Sequence, residues 1–81
     1  MSDFLLKVTE GTAHAMANEL DIDVSTERQI NAKTECLFIE YSVDDTIPGK
    51  RKRATLVRDI MSSDGFVTQL SDDRIIVTEW R

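Results

Sequence analysis

The stretch from Thr34 to Val43 constrains this chain most. It is rich in β-branched and aromatic residues and holds no glycine or proline, the composition of a strand. Strand side chains alternate in direction, so Leu37, Ile39, Tyr41 and Val43 share one face and Cys36, Phe38, Glu40 and Ser42 the other. The first face is apolar and the second mixed, which predicts a sheet with one side better covered than the other.

The neighbouring segments are read around that strand. Ala13, Met16, Ala17 and Leu20 recur at helical spacing, with Thr12 as a possible N-cap, and predict a helix over 12–20. Phe4 to Val8 fits a short strand ending near Gly11; the first turns of a helix capped by Ser2 are the alternative. Residues 25–33 are polar and fit a loop, a helical turn or the start of a long strand. Asp44 to Gly49 contains Pro48 and Gly49 and reads as a chain reversal. Lys52 to Met61 then alternates, with Ala54, Leu56, Arg58 and Ile60 against Thr55, Val57, Asp59 and Met61, and predicts a returning strand. Turns at 62–65 and 71–73 bound two more expected strands, 66–70 and 74–80. The expectation is one α+β domain over residues 1–81: one short helix packed on a mainly antiparallel sheet of four or five strands, in β-α-β-β-β-β order.

With 81 residues, the chain buries a modest fraction of its surface and has a small stability margin. Its single cysteine, Cys36, rules out an internal disulfide; within an apolar run it is expected to act as a small buried hydrophobe. Met1-Ser2-Asp3 lacks the basic start of a secretory signal, and no apolar run approaches the length of a membrane helix. A cytoplasmic, reducing location and no membrane contact are the expectations.

Sites for chemistry are scarce. His14 is the one histidine, on the expected helix, with no partner evident in sequence. One cysteine and one histidine cannot build a structural zinc site. Asp21-x-Asp23-x-Ser25 opens like a calcium loop, then fails at Thr26, where glycine is needed, and at Ala32, where a bidentate glutamate is needed. Gly49-Lys50 lacks the upstream glycine of a phosphate-binding loop. Asp44-Asp45 and Asp72-Asp73 fall in expected turns, where aspartate is favoured for local hydrogen bonding. The reading is of a protein that is not an enzyme and has no cofactor.

Charge is segregated. Lys50, Arg51, Lys52, Arg53 and Arg58 fall within nine positions that contain no acid, whereas the rest of the chain carries all 15 acids against five bases, a local balance of −10. Two functional readings follow. In the first, the acidic surface docks a basic protein partner, as an inhibitory or accessory module, with electrostatic complementarity guiding encounter. In the second, the basic stretch at 50–58 contacts nucleic-acid phosphates, although no aromatic residues are interleaved with it for base stacking. A solvated turn whose charges merely discourage aggregation is the plain alternative. Candidate partner-binding residues are Asp44, Asp45, Lys50, Arg51, Lys52, Arg53 and Arg58 of the expected hairpin. Trp80 joins them, as core filler or as a binding anchor near the C-terminus.

Overall fold

In a computed structural model, which describes residues 2–30, 34–64 and 67–80, the chain is α+β with two helices and an antiparallel sheet. The elements run α1 (Ser2–Leu20), β1 (Asp23–Ile30), β2 (Thr34–Ser42), α2 (Ile47–Asp64), β3 (Val67–Ser71) and β4 (Arg74–Trp80). The spatial order is β1-β2-β4-β3, with every neighbouring pair antiparallel. β1, β2 and β4 form the body of the sheet through long ladders. The shorter β3 lies at an edge and breaks register between Val67 and Gln69.

The expected single helix and β-α-β-β-β-β order are therefore corrected at two places. Residues 4–8 are not a strand but the opening turns of α1. Leu6, Thr9, Ala13 and Ala17 are buried and Met16 and Leu20 pack against them, so one helical stripe runs through both segments. Gly11 does not break it, since glycine weakens a helix without forbidding it. The buried Thr9 hydroxyl donates to the Leu5 carbonyl oxygen at 2.9 Å and needs no other partner.

The second correction is larger. Residues 52–61 are not a returning strand but lie within α2. Gly49, Leu56 and Ile60 are buried and Lys52, Arg53 and Val57 half-buried, which is a helical period and not a period of two. Of the expected turn at 44–49, residues 44–46 are the connection into this helix and 47–49 are its first residues. Thr46 is its N-cap: its Oγ1 accepts the Gly49 backbone N–H at 3.0 Å and donates to Asp44 Oδ1 at 2.6 Å. Pro48 sits in the first turn, where its missing N–H costs nothing. The expected turn at 62–65 is the last turn of α2 as far as Asp64; Gly65 lies outside the described residues, as does Phe66 of the expected strand 66–70.

The sheet follows the alternation read from sequence. Leu37, Ile39 and Tyr41 of β2 are buried with Ile75 and Val77 of β4, and Leu56, Ile60, Leu6, Ala13 and Ala17 complete that core from the helices. The second face, with Cys36, Phe38, Ile76 and Thr78, is half-buried. Cys36 is thus on the poorly covered face and not in the core, its Sγ 3.9 Å from Thr78 Oγ1.

Helix α1 ends in a Schellman turn. The Ile22 N–H reaches the Ala17 carbonyl at 2.9 Å, the Asp21 N–H reaches that of Asn18 at 3.3 Å, and Asp21 takes φ of 56°. Near the far end of the β1–β2 pair, Arg28 Nη2 lies 2.9 Å from Glu35 Oε1, and the Glu35 side chain is 3% exposed. A buried carboxylate requires such a cationic partner.

Candidate functional site

Antiparallel connectivity decides where the acids gather. Asp23 of β1 pairs with Ser42 of β2, and Glu40 of β2 pairs with Arg74 of β4. The connections α1–β1, β2–α2 and β3–β4 therefore emerge at one end of the sheet. They bring Asp21, Asp23, Asp44, Asp45, Asp72 and Asp73 to that end. Asp21, Asp23 and Asp44 line one shallow depression with Lys52, while Asp23, Glu40 and Asp73 line another with Ser25 and Ser42. The backbone joins these connections as well, since the Tyr41 N–H donates to the Asp73 carbonyl at 3.0 Å.

The first turns of α2 carry the basic residues into this acidic end. Lys50 Nζ lies 3.2 Å from Asp45 Oδ1, and Arg53 Nη1 lies 3.6 Å from Asp72 Oδ1 and 3.5 Å from the Asp72 carbonyl oxygen. Arg58 lies further along the helix, with its Nε 3.3 Å from the neighbouring Asp59. Arg51 and Lys52 have no ion pair among the described residues. Exposed pairs of this kind contribute little to stability, but they cancel charge locally.

The candidate residues are thus redistributed. Asp44, Asp45, Lys50, Lys52 and Arg53 come together with aspartates from the other two connections; Arg51 and Arg58 are exposed on α2. The hairpin expected to present them does not exist. Trp80 ends β4 and pairs with Thr34, and its side chain lies outside the described residues. Sequence reasoning missed Asp21, Asp23, Glu40, Asp72 and Asp73 as parts of one site. The Asp-Asp pairs were visible as turn residues; their convergence depends on strand order, which no local pattern shows.

Beside the acidic end lies a cavity of about 250 Å³ lined by Tyr41, Arg53, Ala54, Val57, Ser71 and Asp72. The Tyr41 hydroxyl donates to the Ser71 carbonyl at 3.1 Å. Burial pushes its phenol above the usual tyrosine value; Arg53 opposes this, and Asp73 and Asp72 add to it. Through this hydroxyl contact Tyr41 ties β2 to the end of β3 at the β3–β4 turn.

His14 is exposed on α1, with Nε2 3.3 Å from Thr26 Oγ1. Among the described residues no group of three or more His, Cys, Asp or Glu is placed to hold a metal ion, and no helix is long and apolar enough to cross a membrane. Comparison with family models, curated proteins and solved structures finds no match, so the geometry alone carries the reading of this site.

Proposed function

We propose that this domain is a non-enzymatic module that binds another protein through its acidic surface, in the manner of a small inhibitory or accessory protein. One observation carries the reading. Three separate connections and the first residue of β1 deliver six aspartates to a single end, and the nearest basic residues of α2, Lys50 and Arg53, are drawn into pairs with them. A surface of this sign attracts cationic partners over a Debye length and orients them on approach. It repels phosphate backbones, which weighs against nucleic acid even though Arg51 and Lys52 remain available.

The test is affinity capture from the source cells, with wild-type domain and a variant in which Asp44, Asp45, Asp72 and Asp73 are changed to lysine. Binding is then reconstituted from the purified domain and the purified captured protein. The expected result is a direct complex that weakens with salt and is lost in the charge-reversed variant. If no protein is retained by the wild type in preference to the variant, the reading fails.

A further inference from the structure

Both helices lie on the same side of the sheet, packed on each other, with α1 against β1, β2 and β4. The opposite face carries no layer among the described residues. Its centre is apolar: Phe38 of β2 stands directly opposite Ile76 of β4, and Cys36 opposite Thr78, all four only half-buried. Its flank is acidic: Asp23 and Glu27 of β1 and Glu40 of β2 are exposed, with Ser25 between the first two and Gln29 beyond Glu27. Arg74 is the one described base on this face, and its Nη2 lies 3.2 Å from Glu40 Oε1.

At the acidic end of the same face, Asp23, Ser25, Glu40, Ser42 and Asp73 contribute to a depression of about 280 Å³. That is room for several waters, or for the head of one long basic side chain. Its carboxylates and hydroxyls supply hydrogen-bond acceptors suited to lysine or arginine.

We propose that this half-buried sheet face docks a protein partner presenting a basic side chain beside an apolar one, the first in the Asp23–Glu40–Asp73 depression and the second against Phe38 and Ile76. The proposal rests on the protein-binding reading above and specifies which surface carries it. Central desolvated aromatic contacts with a polar rim are how such interfaces gain their affinity. A second copy of the chain does not suit this face, because it would set Asp23, Glu27 and Glu40 against the same acids. Nucleic acid does not suit it either, because the same carboxylates would meet phosphates.

The experiment is a titration of isotope-labelled full-length domain, followed through its amide signals. The probe is a capped peptide of repeated Arg-Leu pairs separated by Gly-Ser. A peptide with glutamate in place of arginine and a short DNA duplex are titrated in parallel. The expected result is that the Arg-Leu peptide alone shifts amides of residues 23–27, 36–40 and 73–78. Phe38→Ala weakens binding about tenfold or more, and the exposed-site variant Glu27→Lys weakens it while the melting temperature stays near wild type.

Shifts confined to the helices, or to Asp44, Asp45 and Asp72 with Phe38→Ala binding as tightly as wild type, would overturn the proposal. They would leave protein binding through the acidic end intact, which the capture experiment judges separately. Equal binding of the glutamate peptide, preference for the duplex, or no binding by any of the three probes would also overturn it.

Discussion

Gly11 and Gly49 both lie in helices, and their surroundings give them opposite roles. A Cβ at Gly11 would meet nothing within 4 Å, so glycine there only costs backbone entropy. Gly11→Ala is expected to stabilise the domain by about 0.5–1 kcal/mol in chemical denaturation. A Cβ at Gly49 would run into the carbonyl oxygen and Oδ1 of Asp44. Gly49→Ala is expected to destabilise by about 1–3 kcal/mol, because the Asp44 backbone must move and disturb the cap of α2. Tyr41 adds a pH dependence. Its folded-state pKa is raised, so the folded state favours the neutral phenol. That contribution is fully present below the unfolded value of about 10 and is lost as pH rises through the folded value. Melting of the wild type is expected to fall more steeply than melting of Tyr41→Phe as pH rises from about 10 toward the folded value. As the chain's only tyrosine, Tyr41 also reports its own titration through phenolate absorbance.

At the scale of elements, α2 depends on its first turn. Thr46→Ala removes the acceptor for the Gly49 N–H and the donor to Asp44, and is expected to cost about 1 kcal/mol, read from equilibrium unfolding. This helix also shows where local pattern fails. Apolar residues at 54, 56 and 60 satisfy an alternating template, while burial at 49, 56 and 60 with 52, 53 and 57 beside them satisfies a helical one. Two buried aliphatics, Leu56 and Ile60, are too few to separate these periods, and basic residues occupy positions where a strong helix would show more apolar ones. Pro48-Gly49 also matches a turn pattern, though proline is tolerated in a first helical turn. Gly11 likewise resembles a stop between 4–8 and 12–20, although the helix runs through it. Thr34–Val43 is legible because its apolar residues recur on one face and mark both the element and its buried side, whereas the continuous β-branched run at 75–78 marks a strand without saying which face, Ile75 and Val77 or Ile76 and Thr78, is buried. Residues 23–30 were not, because β1 is an edge strand with polar residues on its solvent side.

The whole molecule, about 40 Å in its longest dimension, divides into a helix-covered core side and a sheet side that no described element covers, with aspartates gathered at one end. Charge segregation was legible in sequence, but its meaning was not. The basic stretch at 50–58 reads as a separate positive patch on paper; in the fold its first turns lie among the aspartates and pair with them. What separates a protein-binding from a nucleic-acid-binding account is therefore whether the acids or the remaining bases dominate at contact. The most direct measurement is binding of the purified domain to its captured protein partner and, side by side, to duplex DNA at low and high salt. The account predicts a protein complex that weakens with salt and with aspartate reversal, and no DNA binding even at low salt. DNA binding that weakens with salt and disappears on changing Arg51 and Lys52 to glutamine would contradict it.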